Sequence, residues 1–124
     1  MNEFFKYYNI NDYHSTGKGW FKLVKPILEA VDRYNKEHYN IYTDEKIEIF
    51  DIKEKFGGLR ISLSYYVPEL EALVSEAEET SYKTCEECGA EENVSTEKIT
   101  GWYKTLCDNC RKKFEEKRKE WLKS

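Results

Sequence analysis

Four cysteine residues form two Cys-x-x-Cys pairs in the second half of the chain, and they are the residues best suited to chemistry. Cys85 and Cys88 make the first pair, Cys107 and Cys110 the second, and the 124-residue chain contains no other cysteine. The 18 residues between the pairs match the spacing of four-thiolate zinc sites. Each pair can bring two sulfur atoms from one tight turn to the same ion. We therefore predict that these four cysteines bind one structural Zn²⁺.

Disulfides, a redox-active pair and an iron site are the alternative uses of these four thiols. Two disulfides would need an oxidising compartment, and we expect no signal peptide before the domain. A thioredoxin-like pair would lie beside a βαβ unit, which the sequence does not indicate. Rubredoxin-like iron stays open, since four thiolates also bind iron. Four protein ligands leave no coordination position for water or substrate, so the metal is expected to be structural and the function to lie elsewhere.

The residues around the cysteines predict a treble-clef-like finger over residues 84–124. Gly89 can adopt the left-handed backbone that closes the first turn. A hairpin is expected over residues 93–105, with Trp102 as the small apolar core of the finger. A basic amphipathic helix begins at about Asp108. Its cations are candidate contacts for a partner or for phosphate: Arg111, Lys112, Lys113, Lys117 and Arg118.

An α-β-β-α body is predicted over residues 1–83, and with the finger it makes an α+β protein. Residues 1–16 are rich in aromatic side chains and are expected to cover the body as a flap. Apolar residues then recur at offsets of three and four from Trp20 to about His38, which predicts the first helix. Pro26 either kinks this helix or begins its regular part.

A second helix is predicted from Pro68 to about Tyr82. Its inward stripe is expected to consist of Leu70, Leu73, Val74 and Ala77. Acidic residues cover its outer face, and such a face is usually only solvated, but it can also mimic nucleic-acid phosphate towards a protein that binds DNA or RNA. The candidate acidic partner face consists of Glu69, Glu76, Glu78 and Glu79.

A β-hairpin is predicted between these helices, with strands over residues 47–52 and 59–65 and paired glycines at the turn. Alternation in the second strand places Leu59, Ile61, Leu63 and Tyr65 against the first helix. Three cations bracket the turn: Lys53, Lys55 and Arg60. They are candidates for holding a phosphate beside a glycine-closed loop, or they simply decorate a solvated hairpin and pair with neighbouring acids.

These motifs together resemble a family of small, functionally uncharacterised phage and prophage proteins. The resemblance rests on Gly19-Trp20 opening a helix, on the sequence KEKFGGLR over residues 53–60, and on the two cysteine pairs with Gly101-Trp102 between them. It spans about residues 19–110 and implies a viral setting inside a bacterial host cell. It implies no particular mechanism.

Composition limits the classes of function. The formal charge of −4 argues against a general nucleic-acid coat protein, and no apolar run approaches a membrane span. We expect a cytoplasmic, non-enzymatic, zinc-binding protein that binds a protein or a protein–nucleic-acid complex and so modulates host defence or nucleic-acid handling. The alternative is a nucleic-acid-binding regulator that uses the finger and its basic helix. A finger nuclease would need a histidine in the finger, where neither His14 nor His38 lies.

Overall fold

The computed structural model describes residues 17–38, 46–99 and 101–123, with side chains up to Glu120. The predicted aromatic flap over residues 1–16 lies outside the described residues. The prediction of an α+β fold is confirmed. After a single 3₁₀ turn, Lys18–Trp20, the elements in chain order are α1 (Phe21–His38), β1 (Ile49–Lys55), β2 (Gly58–Leu63), α2 (Pro68–Ser81), β3 (Val94–Ile99), β4 (Trp102–Cys107) and α3 (Asp108–Lys123).

Helix α1 begins five residues before Pro26, so the proline lies inside the helix and does not begin its regular part. A proline inside a helix costs about 3 kcal/mol because it removes one hydrogen bond and crowds the preceding turn. Burial offsets this cost, since each buried aliphatic side chain contributes about 1.5–3 kcal/mol. The helix buries a full stripe of them: Val24, Ile27, Leu28 and Val31.

Strands β1 and β2 form the predicted antiparallel hairpin. Phe56 and Gly57 make its two-residue turn, with φ of 54° and 84°, which is the positive pair that a type I′ turn requires. Leu59 and Ile61 are buried as predicted, but Tyr65 is exposed, contrary to the prediction. The strand ends at Leu63, so its alternation no longer governs Tyr65.

Helix α2 covers the hairpin and packs on α1. Its buried stripe contains Leu70, Val74, Ala77 and Ser81. The prediction that Leu73 faces inward is wrong, because its side chain is 39 % exposed. Leu73 immediately precedes Val74 and therefore lies about 100° round the helix axis from it, outside the buried stripe.

The finger has its own small cluster of buried residues around Cys85, Leu106 and Cys107. Strands β3 and β4 pair antiparallel from Val94 opposite Cys107 to the hairpin tip. Trp102 lies at that tip and is 71 % exposed, so the prediction that it forms the finger core is wrong. Leu106, directly before Cys107, is fully buried and supplies the aliphatic side chain of this cluster.

Hydrogen bonds and two glycine contacts join the finger to the body. The Gly19 N–H donates to the Glu86 carbonyl at 2.8 Å, and the Trp20 indole Nε1 donates to the Thr84 carbonyl at 2.8 Å. A Cβ at position 19 would clash with the Cys85 carbonyl oxygen. At the other contact, the Thr105 hydroxyl donates to the Gly57 carbonyl at 2.5 Å. The start of α1 and the turn of the first hairpin are thus both fixed by the finger.

Candidate metal centre

The four cysteine sulfur atoms converge on one point between the first cysteine turn, the end of β4 and the start of α3. All four Sγ atoms lie within 4.8 Å of one another, and those of Cys88 and Cys107 are 3.7 Å apart. A tetrahedral ion with metal–sulfur bonds of about 2.3 Å separates its ligands by about 3.8 Å. The sulfurs are free thiols rather than disulfides. Their arrangement therefore matches a four-coordinate metal site.

Backbone hydrogen bonds shape the first cysteine turn. The Gly89 N–H donates to the Cys85 carbonyl at 2.9 Å, and the Cys85 N–H donates to the Ala90 carbonyl at 2.8 Å. Gly89 has a φ of 82°, as predicted from its position after the pair. The Lys22 ammonium donates to the Gly89 carbonyl at 2.5 Å. The turn that presents two sulfurs is thus closed by glycine and fixed to α1.

The second pair joins a strand to a helix. Cys107 ends β4, and Cys110 lies in the first turn of α3. The Cys110 N–H lies 3.4 Å from the Cys107 sulfur, so one of the first free N–H groups of the helix points at a ligand atom. The Asp108 N–H donates to the Asn93 carbonyl at 3.0 Å. These contacts set the direction in which α3 leaves the site.

The thiols differ in how readily they ionise. Burial acts to raise the pKa of Cys85, but the N–H groups of Cys107, Cys88 and Glu87 directed at its sulfur outweigh burial and lower this pKa to about 7. Burial and the three neighbouring sulfurs raise the pKa of Cys110 well above its ordinary value. One thiolate forms easily, and further thiolates are opposed because like charges in contact repel. A bound dication removes that opposition.

The cluster can hold a metal ion such as zinc, and its donor set is that of a closed structural site. Among the residues that the structure describes, these four cysteines are the single group of metal-binding side chains that converge in this way. Four thiolates complete a tetrahedral shell and leave no position for a substrate. Such a site contributes its binding free energy to folding.

Glu86 is a buried residue of the site that the sequence did not single out. Its carboxylate accepts hydrogen bonds from the Lys104 ammonium at 2.8 Å and from the Thr105 N–H at 3.2 Å. Burial raises the pKa of Glu86, and the nearby Lys104 opposes that rise. The carboxylate thereby ties the first cysteine turn to β4. The motif Cys-Glu-Glu-Cys carries no signal to distinguish Glu86 from the exposed Glu87, because the distinguishing partner is 18 residues away.

Lys53 and Arg60 lie opposite each other in the β1–β2 register, and each has a partner of its own within the protein. The Lys53 ammonium pairs with Asp51 at 3.2 Å, as the interpretation of a solvated hairpin expects. Arg60 donates to the Tyr82 hydroxyl at 2.7 Å. The Gly57 N–H donates to the Glu54 carboxylate at 2.7 Å, so the protein's own acid occupies this amide of the turn. Phosphate binding at this turn stays a prediction.

The cations of α3 differ in burial and in their contacts. Arg111 is only 12 % exposed and donates from Nη2 to the Ser95 hydroxyl at 2.9 Å and the Leu106 carbonyl at 3.2 Å. It also pairs with Glu97 at 3.0 Å. Arg111 therefore fastens the helix to the β3–β4 hairpin. Arg118 is half-buried, and the remaining predicted contacts are exposed: Lys112, Lys113 and Lys117.

The four residues of the candidate acidic partner face on α2 differ in exposure and in their contacts. The Glu78 carboxylate accepts the Ile61 N–H at 3.0 Å and so binds the helix to the outer edge of β2. Glu69, Glu76 and Glu79 are exposed. The candidate acidic partner face is therefore reduced to these three residues, while Glu78 stabilises the fold.

Comparison with protein-family models, with curated proteins and with solved structures gives no significant match. Within the described ranges, no helix combines the length and apolar character needed to cross a membrane.

Proposed function

We propose that this chain is a small zinc-binding, non-enzymatic protein that acts by binding a macromolecular partner. The observation that carries this proposal is the convergence of four cysteine sulfurs within 4.8 Å of one another, because a complete thiolate shell stabilises structure and offers no site for a substrate. The ion is zinc, which has no redox chemistry in proteins and is bound with tetrahedral coordination in four-cysteine structural sites. The finger is of the treble-clef type, since a cysteine turn, a hairpin and a helix follow in that order.

The role of the ion in this proposal is to hold surfaces in place. Carbonyl groups of Thr84 and Glu86, which flank the first metal-binding cysteine, accept the hydrogen bonds that fix Trp20 and Gly19. On the other side, Thr105 of β4 holds the Gly57 turn. An ion that fixes the two cysteine pairs therefore fixes the start of α1 and the first hairpin as well.

The setting we propose is the cytoplasm of a bacterial host, where a phage or prophage protein inhibits a host defence or nucleic-acid-handling factor. Its support is the resemblance of the motifs and the exposed acids on α2, Glu69, Glu76 and Glu79. A row of carboxylates can occupy a protein surface that otherwise receives phosphate.

Two measurements test this proposal. Metal analysis of the purified chain is expected to give one zinc per chain, and cobalt substitution to give the visible spectrum of a tetrahedral thiolate site. Crosslinking in host cells is then compared for the natural chain and a Glu69→Gln, Glu76→Gln, Glu79→Gln variant, with a Glu29→Gln, Glu37→Gln, Glu48→Gln variant as the charge-matched control. A folded chain without metal would refute the zinc site. A partner retained by the triple variant would refute the acidic face.

A second candidate function is nucleic-acid binding by the basic helix α3. It is favoured by the exposed cations Lys112, Lys113 and Lys117, although Arg111 is engaged within the finger. Charge reversal at Lys112 and Lys117 is expected to abolish duplex binding at low salt, whereas reversal of the exposed Lys25 on α1 is expected to leave it unchanged. Duplex binding that survives reversal on α3 would exclude this function.

A further inference from the structure

Two aromatic side chains lie in solvent where the first hairpin meets the finger. Phe56, in the β1–β2 turn, is 65 % exposed, and Tyr103, on β4, is 40 % exposed. Their ring centroids are 6.1 Å apart, with an angle of 82° between the ring planes. Neither ring belongs to the two buried clusters of the described chain. Most of the apolar surface of Phe56 is thus left in water.

Local folding does not explain a phenylalanine at position 56. Its φ of 54° lies in the left-handed region, which bulky side chains rarely adopt and which a type I′ turn normally fills with asparagine, aspartate or glycine. A strained conformation kept by an exposed residue points to a role for that side chain outside the fold. Phe56 therefore carries two independent signs of a binding residue, its exposure and its backbone conformation.

Two cations accompany the rings. The Lys55 ammonium lies 5.8 Å from the Phe56 ring centroid, and the Lys98 ammonium lies 5.9 Å from that of Tyr103. Among the residues that the structure describes, neither ammonium has an ion-pair partner. The acid next in the chain, Glu54, is engaged by the Gly57 N–H. We name this surface, formed by Phe56, Tyr103, Lys55 and Lys98, the aromatic–lysine patch.

We propose that the aromatic–lysine patch binds single-stranded nucleic acid, with bases stacked on Phe56 and Tyr103 and phosphates contacted by Lys55 and Lys98. The inference rests on the proposed function of binding a macromolecule and adds a nucleic-acid ligand to the protein expected at the acidic face. Aromatic faces with adjacent cations are the combination that binds unpaired bases together with their backbone. A duplex buries its base faces in the stack and offers none to these rings. With two phosphate contacts, log K should fall with log salt with a slope of about −1.4.

Fluorescence anisotropy of the zinc-loaded full chain tests the site. The probes are labelled single-stranded DNA and RNA of about 12 nucleotides and the matching duplex. Phe56→Asn removes the ring while supplying a residue that favours the turn, so the melting temperature is expected not to fall. Affinity for single strands is expected to drop about 5- to 150-fold, the range for losing one stacked base. Lys98→Gln is expected to reduce the salt slope by about 0.7.

Matched controls separate this patch from general surface effects. Phe50 is 67 % exposed on the same hairpin, and Phe50→Thr is expected to leave binding unchanged. Lys25→Gln on α1 is the charge-matched control for Lys98→Gln. Ultraviolet crosslinking of the wild-type complex, mapped by mass spectrometry, is expected to place the nucleic acid on Phe56 or Tyr103, whatever the stability of the variants.

Several outcomes would overturn the inference and would remain distinct from failure of the proposed function. Absence of single-strand binding, or binding unchanged by Phe56→Asn, would exclude the patch. Crosslinks confined to α3 would assign binding to that helix. A photo-crosslinking amino acid at position 56 that captures a host protein and no nucleic acid would replace the ligand with a protein, while the interaction function would stand. A chain that crosslinks to no macromolecule would refute both.

Discussion

Replacing Thr105 by valine tests whether the finger and the body form one folded unit. The Thr105 hydroxyl is fully buried, donates to the Gly57 carbonyl at 2.5 Å and lies 2.7 Å from the Thr96 hydroxyl. Valine keeps the shape and the strand preference of threonine but removes both hydrogen bonds. The Gly57 carbonyl loses its donor inside the interface between the two hairpins.

The expected cost follows from these contacts. A buried polar group left without its partner costs about 1–3 kcal/mol, and 1 kcal/mol lowers the melting temperature of a chain of this length by about 3–6 °C. Thr105→Val should therefore lower the melting temperature by about 3–18 °C in the zinc-loaded protein. Thr96→Val removes only the bond between the two hydroxyls and should cost less. The two substitutions should be non-additive, because the residues share that bond.

Urea unfolding followed by circular dichroism and by tryptophan fluorescence measures the effect. If finger and body unfold together, both signals should shift by the same amount in Thr105→Val. An unchanged midpoint would refute the role of the hydroxyl. Two separate transitions in the urea titration would show that the two parts unfold independently, and the hydrogen bonds between them would then contribute little to stability.

Three further predictions concern the metal centre and the helices α2 and α3, each of which has a buried face and an exposed face. Cys88→Ser should lose the metal and the order of α3, measured by metal analysis and circular dichroism; a variant with stoichiometric zinc and unchanged helicity would contradict the site. Val74→Ala should lower the free energy of unfolding by about 1–2.5 kcal/mol through lost burial, whereas Leu73→Ala, at an exposed position, should lower it by less than about 0.5 kcal/mol. Equal costs in urea titration would contradict the observed buried face of α2. Arg111→Met should destabilise by about 1–3 kcal/mol, because it strips buried acceptors of their donor, while Lys112→Met should be neutral in thermal unfolding; the reverse order would contradict the fastening role of Arg111.

Local patterns predicted the elements and the metal-binding cysteines. Spacing of three and four predicts a helix, alternation predicts a strand, and a glycine pair predicts a turn, because each depends on residues close in the chain. Each cysteine pair is equally local, and the fold brings the two pairs together. The structure follows these patterns in α1, in the β1–β2 hairpin and in the convergence of the thiols.

The errors and omissions concern contacts between distant residues. Trp102 and Leu73 are apolar residues in regular elements, and both are exposed. Which face of a strand or helix is buried depends on the elements packed against it, and local sequence does not show this. Glu86 and Thr105 are polar residues that the fold buries, and their partners lie 18 and 48 residues away. Sequence patterns assign such side chains to the surface, because the hydrogen bond that makes burial affordable is not visible locally.

The bond between Trp20 and the Thr84 carbonyl spans 64 residues, and this separation has a consequence during synthesis. On the ribosome, the start of α1 emerges long before the cysteine turn that anchors it. The Trp20 indole therefore has no Thr84 carbonyl to donate to while the first hairpin and α2 are being synthesised. Closing so long a loop carries an entropic cost, which the packing of α1 on α2 reduces by bringing the two ends of the loop together. Helix α1 can thus reach its final position only after the cysteine turn has been translated.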